Sequence, residues 1–282
     1  MKLIKAAKKM YAHTQEKRTL GKKTGFIPTM GALHDGHISL IKQAQKETDY
    51  VVVSIFINPT QFNNASDFEK YPNQIEEDIK LLKFNGVDCV FLPNTEEMYK
   101  QETPLKFDFG YLEKIMEGAF RPGHFHGVAT IVSKLFNVIS PDKAYFGQKD
   151  IQQVAIIKAL TTALSFQIDL IIVPTLRESS GLAMSSRNQR LSHSGLIKAA
   201  ALYQSLTNIE KQLQEGVTFK IIQEQEITKL EKNHGFSVEY LELTEAENLR
   251  ESTTIKPGKY AICIAAYLQD VRLIDNLVFI SE

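Results

Sequence analysis

Between residues 24 and 174 short apolar runs alternate with longer amphipathic segments. "TGFIPT" (24–29) reads as a strand and "GHISLIKQAQKE" (36–47) as a helix. "DYVVVSIFI" (49–57) predicts a buried strand, and "NQIEEDIKLLKFNG" (73–86) a helix closed by Gly86 as a C-terminal cap. A third strand follows at "VDCVFLP" (87–93), then a helix at "GVATIVSKLFNVIS" (127–140). "KAYFG" (143–147) is a short strand, "IQQVAIIKALTTAL" (151–164) a helix and "IDLIIVP" (168–174) another strand. Runs such as "VVVSIFI" and "LIIV" are apolar at consecutive positions, so both strand faces must be covered. With the β–α alternation, this predicts an α/β fold with a doubly wound, Rossmann-like parallel sheet.

Past Pro174 the rhythm changes. "RESSGLAMSSRNQRLS" (177–192) is polar and contains glycine. Apolar spacing predicts helices over 194–215 and 218–233, followed by strands "FSVEYLEL", "KYAICIAAYL" and "VRLIDNLVFI". Helices followed by consecutive strands imply a smaller α+β domain with an antiparallel sheet. The expected division is residues 1–175 and 176–282.

Composition narrows the partners. Lys+Arg and Asp+Glu are both 33, a formal net charge of zero. That balance gives no support for a nucleic-acid or membrane-surface partner, although a local basic cleft stays open. The lysine-studded start "MKLIKAAKKMYAHTQEKR" has no central apolar block, so neither a secretory signal nor an anchor is expected. The apolar run "AICIAAYL" (261–268) is too short to span a bilayer. Cys89 and Cys263 lie in separate apolar runs and are expected as reduced core residues. A soluble cytoplasmic protein is the expectation.

"PTMGALHDGH" (28–37) holds the candidate chemistry. It lies where a strand has ended and a helix is about to begin, the place where doubly wound folds bind ligands. A helix N-terminus offers unpaired N–H groups and partial positive charge to an anion. Gly31 and Gly36 have the spacing of a P-loop, but His37 and Ile38 stand where that motif needs Lys and Ser/Thr. His34 and His37, three apart, become neighbours on one face if the helix starts early. Their imidazole N–H groups could stabilise charge developing on phosphate. A histidine at a helix start is more often a surface or capping residue. A zinc site from His34, His37, His124 and His126 ranks low, because H-E-x-x-H is absent and no cysteine lies nearby in sequence.

This segment resembles the signature of the pantothenate synthetase (pantoate–β-alanine ligase) family. That family belongs to the nucleotidyltransferases with a histidine–x–glycine–histidine motif, alongside class I aminoacyl-tRNA synthetases. "FINPTQF" (56–62), "FRPGHFHGVATIVSKLFN" (120–137), "YFGQKDIQQ" (145–153) and "GLAMSSRN" (181–188) look like the family's further blocks, in the family's order. The resemblance runs from about residue 20 to 195; the C-terminal part agrees in length and pattern only. Another adenylyl or cytidylyl transferase would share the histidine pair but not "FINPTQF" and "YFGQKDIQQ". A non-catalytic nucleotide-binding module would need a lost phosphate contact, whereas His37, Lys149 and Arg187 are all present.

The resemblance implies a two-step ligation in coenzyme A (vitamin B5) biosynthesis. (R)-pantoate attacks the α-phosphorus of ATP, releasing pyrophosphate and leaving a pantoyl adenylate. β-Alanine then displaces AMP to give pantothenate. The resemblance also implies Mg2+ bound chiefly to phosphate oxygens and water, without assigned protein ligands, and a homodimer. Residues 1–175 would bind nucleotide and pantoate, and 176–282 would form the lid. Met30, Gly31, Ala32, Leu33, His34, Asp35, Gly36 and His37 would line the ATP site. His37 is cast as proton donor, with His34 assisting.

Within "GQKD", Gly147 would let the backbone approach the nucleotide, alongside Gln148. Lys149 would be a point charge for the phosphates, and Asp150 would accept from ribose hydroxyls, although a helix cap explains Asp150 equally well. In "MSSRN", Met184 would pack near adenine, Ser185 and Ser186 would donate to phosphate, and Arg187 would supply a planar fork. Leu176 would make a main-chain contact to adenine where the family usually has valine. Gln61 and Gln153 are the candidates for pantoate, since neutral amides can hold a carboxylate without quenching its attack. Arg121 could attract carboxylates, while His124 and His126 are left outside the catalytic set. Ser180 stands before Gly181 where the family often has Asp, which bears on the lid loop. The acidic "EED" (76–78) is expected on a solvated helix face.

Overall fold

In a computed structural model, residues 1–63, 68–69, 71–101 and 104–282 are described. The chain forms two compact units, Met1–Gly147 with Ile156–Pro174, and Gln148–Ala155 with Thr175–Glu282. The expected boundary near 175 thus acquires an excursion: the "QKD" turn and the start of the following helix group with the C-terminal residues.

The first unit holds strands β1 (Lys2–Ile4), β2 (Thr24–Thr29), β3 (Tyr50–Ile55), β4 (Cys89–Phe91), β5 (Lys143–Gly147) and β6 (Asp169–Val173). They form one sheet in the order β1-β4-β3-β2-β5-β6, and every pairing is parallel. Its helices include α1 (Ala7–Thr19), α2 (Asp35–Glu47), α3 (Ile75–Phe84) and α4 (His124–Ile139). Helix α5 (Ile151–Ala163) starts in the second unit's share of the chain and ends in the first.

Strand alternation divides the helices between the two faces. Phe26 meets Phe136 of α4 edge to face at 6.3 Å, whereas its neighbour Ile27 joins Ile38 and Ile41 of α2 in the opposite layer of core. The chain runs outward from β2 through β3 to β4, then returns to β2's other side with β5 and β6. This reversal makes a topological switch point between β2 and β5, beyond which the segment after β2 emerges.

The second unit holds α6 (His193–Ala199), α7 (Ala201–Gln214), α8 (Phe219–Lys229) and the antiparallel sheet β7 (Ser237–Glu245), β8 (Gly258–Leu268), β9 (Val271–Ser281). Leu206 and Ile209 of α7, Ile222 of α8, and Ile262 and Ile264 of β8 centre its core. Cys89 and Cys263 are buried free thiols, one in each unit. Among the described residues no helix is long and apolar enough to cross a membrane.

The lysine-rich start supplies edge strand β1 and helix α1, whose buried residues are Met10, His13 and Thr14. Two expectations are corrected. The helix expected over 194–215 is interrupted at Ala200. The helix expected over 218–233 ends at Lys229 and widens into a π turn, Leu230–His234, closed by Gly235 at φ +74°.

Candidate active site

Helix α2 starts earlier than its apolar pattern suggests, at Asp35, and His34 is its N-cap. The Nδ1 of His34 accepts the Gly36 N–H at 3.1 Å, and the Nδ1 of His37 accepts the His34 N–H at 3.3 Å. This is a reciprocal capping box built from two imidazoles. A ring nitrogen accepting an N–H carries no proton, so each neutral ring must bear its proton on Nε2. The ring centroids lie 4.2 Å apart, and both side chains are half-buried.

The turn leading into this cap is held from below. Gly31 has φ +85° and Ala32 φ +50°, both left-handed. A Cβ on Gly31 would come within 2.9 Å of Asp78 Oδ2, so only glycine fits there. Asp78 Oδ2 accepts the Ala32 N–H and Oδ1 the Leu33 N–H, each at 2.8 Å. The residue is 2 % exposed, and burial raises its carboxyl above the usual range against the opposing pull of those two N–H groups. The "EED" expectation therefore fails at its third residue: Asp78 is a buried clamp on the His34 loop. The one sequence trace of this burial is that Asp78 shares a helix stripe with Ile75 and Leu82.

Gln61 is buried at the end of a 3-10 turn, Pro59–Gln61. Its Oε1 accepts from Asn58 Nδ2 at 3.1 Å, and its Nε2 lies 3.2 Å from the sulfur of Met30. Asn58, itself 1 % exposed, also donates to the Gly127 carbonyl and accepts the Tyr99 hydroxyl at 2.7 Å. His124 Nδ1 meets the Gln61 carbonyl at 2.8 Å, and Arg121 Nη1 lies 3.3 Å from His124 Nε2. A guanidinium only donates, so Nε2 accepts and Nδ1–H donates to Gln61. His124 is thus a brace for Gln61. Arg121, also 3.4 Å from Glu117, is engaged in the same brace. Sequence alone left both roles undecided and gave no sign of Asn58.

Gly147 closes β5 in the first unit. A Cβ added there would meet no protein atom within 4 Å, so the space beside the strand's carboxyl end is open.

The other candidates belong to the second unit. Gln148, Lys149 and Asp150 form a 3-10 turn running into α5, where Gln153 is half-buried. Lys149 Nζ lies 3.6 Å from Asp150 Oδ1. Gln148 Nε2 donates to Asn276 Oδ1 at 3.4 Å. Leu176 and Met184 are brought together, the Met184 N–H donating to the Leu176 carbonyl at 3.0 Å across a tight hairpin. Gly181, at φ +92°, turns that hairpin, and a Cβ there would strike the Tyr203 ring at 2.8 Å. Ser185 caps the following 3-10 turn, its Oγ accepting the Arg187 N–H at 3.3 Å; Ser186 is buried and Arg187 half-buried. Accepting that bond leaves the Ser185 hydroxyl hydrogen able to donate.

Known proteins share this chain's sequence and fold along nearly its whole length. The family model for Pantoate-beta-alanine ligase matches residues 2–278. The pantothenate synthetase of Cytophaga hutchinsonii is 51% identical over 98% of this chain and 99% of its own length. That of Bacteroides thetaiotaomicron is 41% identical over 99% of both. Among solved structures, pantothenate synthetase from Thermus thermophilus superposes with a TM-score of 0.90 at 36% identity, covering 98% of this chain and 99% of that one. The ligase from Francisella tularensis, complexed with beta-gamma ATP and beta-alanine, gives a TM-score of 0.83 at 36% identity, covering 99% and 97%.

Proposed function

The chain belongs to the pantoate–β-alanine ligase family, and from that premise we propose how its own residues perform the ligation. It is an ATP-dependent ligase of pantothenate synthesis, joining pantoate to β-alanine through a pantoyl adenylate and releasing pyrophosphate and AMP. A carboxylate is a poor acyl donor, and adenylation supplies the leaving group. The first step crowds anions together, so the site must supply N–H donors and positive charge.

The observation that carries the proposal is the reciprocal histidine cap. With both Nδ1 atoms occupied by backbone N–H groups, the Nε2–H groups of His34 and His37 are the donors for phosphate oxygens at the mouth of the β2–α2 crossover. His37 supports the charge that moves onto pyrophosphate, and His34 assists. Lys149 and Arg187 add cationic charge. Met30 to His37, Gly147 to Asp150, Leu176 and Met184 to Ser186 complete the nucleotide site. Gln61 and Gln153 hold pantoate with neutral amides. Asp150 receives ribose hydroxyls, and residues 176–282 act as the lid.

Magnesium accompanies the triphosphate and offsets its charge, held by phosphate oxygens and water. Asp78 is not assigned to the metal: it is buried, and each of its carboxylate oxygens already holds a backbone N–H of the turn. A cytoplasmic homodimer completes the proposal.

Rapid-quench measurement with labelled ATP tests the reaction order. Pyrophosphate appears only with pantoate, and AMP with pantothenate only once β-alanine is added. Pyrophosphate release without pantoate contradicts it. Gly147→Ala tests the nucleotide's place. Because the added methyl meets no protein atom, the melting temperature holds or rises. The KM for ATP rises roughly tenfold, about 1.4 kcal/mol of lost binding. An unchanged KM removes Gly147 from the site.

A further inference from the structure

Strand β9 contains "LIDNLVFI", two consecutive polar residues inside an apolar run. Alternation sends Asp275 and Asn276 to opposite faces of the sheet. Asp275 points with Leu273, Leu277 and Phe279 towards the helix-covered core and is 4% exposed. There it accepts both arms of the Arg177 guanidinium, at 2.6 and 3.0 Å. The same guanidinium stacks 3.7 Å from the Tyr203 ring and donates to the Gly181 and Asn276 carbonyls. Burial pushes the Asp275 carboxyl up, and Arg177 is the main opposing influence.

Asn276 faces the other way and is 1% exposed. Its Nδ2 donates to two successive carbonyls, Gln148 at 3.0 Å and Lys149 at 2.8 Å, and its Oδ1 accepts from Gln148 Nε2. Successive carbonyls share a direction in a helical turn and oppose one another in extended chain. One amide can therefore serve both only while residues 148–150 keep their 3-10 form. An apolar side chain would satisfy the strand's packing here, and a buried amide is costly unless fully bonded. The hydrogen bonds of this side-chain amide go to the Gln148–Lys149 turn.

We propose that Asn276 is a positioning residue for the ligase reaction, locking the turn from which the Lys149 side chain springs. The proposal rests on the reading of Lys149 as a phosphate-binding cation of the adenylation step. Lysine is a compact charge on a flexible stem, so its placement depends on where that stem is rooted. Asn276 touches no substrate; it acts through the main chain of Gln148 and Lys149.

Single-turnover formation of pantoyl adenylate is measured for wild type, Asn276→Ala, Lys149→Ala and the double variant, alongside aminolysis of supplied adenylate by β-alanine. Asn276→Ala slows adenylation roughly 10- to 100-fold, the scale of an ångström-sized misplacement. Its KM for pantoate and its aminolysis rate stay within about twofold of wild type, the split expected when only transition-state contacts are lost. In the Lys149→Ala background the second substitution adds less than about twofold, because the two act as one unit. Should Asn276→Ala not fold, Asn276→Ser, which retains one donor, shows the same split with a smaller loss. Equal loss in both half-reactions overturns the proposal in favour of a structural role, as do losses that multiply in the double variant. If Lys149→Ala is impaired while Asn276→Ala adenylates normally, the proposal alone fails. If Lys149→Ala adenylates at the wild-type rate, the reading of Lys149 fails and the proposal with it.

Discussion

Replacing His37 with alanine slows pantoyl-adenylate formation by roughly 10²–10³-fold, the scale of removing one preorganised donor from developing charge. The measurement is a single-turnover quench with saturating ATP and pantoate. Alanine also removes the acceptor of the His34 N–H, which costs about 1 kcal/mol of helix stability. His37→Gln separates the two effects. Glutamine is a capping-box residue at this position and can restore that bond. It brings no imidazole Nε2–H, so the melting temperature recovers while the rate does not. A His37→Gln enzyme adenylating at the wild-type rate would leave the ring with a structural role only.

The Asp78→Ala variant loses about 2–6 kcal/mol of stability, because two buried N–H groups, those of Ala32 and Leu33, are left unbonded at about 1–3 kcal/mol each. Denaturant unfolding reads this directly. Adenylation falls as well, since the left-handed turn that delivers His34 is no longer held. Asp78→Asn loses less, retaining one acceptor while turning an NH2 towards a donor. The pH dependence has a definite sign. Burial raises the folded-state carboxyl above its ordinary 3.8, so folding takes up a proton between that value and the raised one. The advantage of wild type over Asp78→Asn is largest below that interval, declines as pH rises through it and is level above. An advantage that grows with pH would assign the shift to another group.

The parallel sheet was legible because "VVVSIFI" and "LIIV" are apolar at nearly every position, which a sheet covered on both faces requires. Helix α1 was not, because it buries one apolar residue, Met10, beside His13 and Thr14, and so carries no apolar stripe. Nothing local marks the interruption at Ala200, which has helical angles itself (φ −59°, ψ −23°). For the proposed site, glycine and histidine spacing singled out the β2–α2 crossover, since those residue types are rare in combination. The bracing groups Asp78, Asn58 and Asn276 stayed hidden for a different reason. A polar side chain buried to hold main-chain groups looks, in sequence, like one facing solvent. Only an interruption of an apolar period, as at Asp78 in α3 or Asp275–Asn276 in β9, distinguishes the two.

In the proposed mechanism the two imidazoles that cap α2 make the start of a helix and the reactive centre out of the same atoms. Fraying of that first turn is therefore loss of catalytic competence, even while the sheet beneath stays intact. The amide protons of His34 and Gly36, each bonded to a ring, become solvent-exchange reporters of how often the centre is assembled. A nucleotide that engages the rings should slow their exchange with deuterium before it protects the rest of the fold.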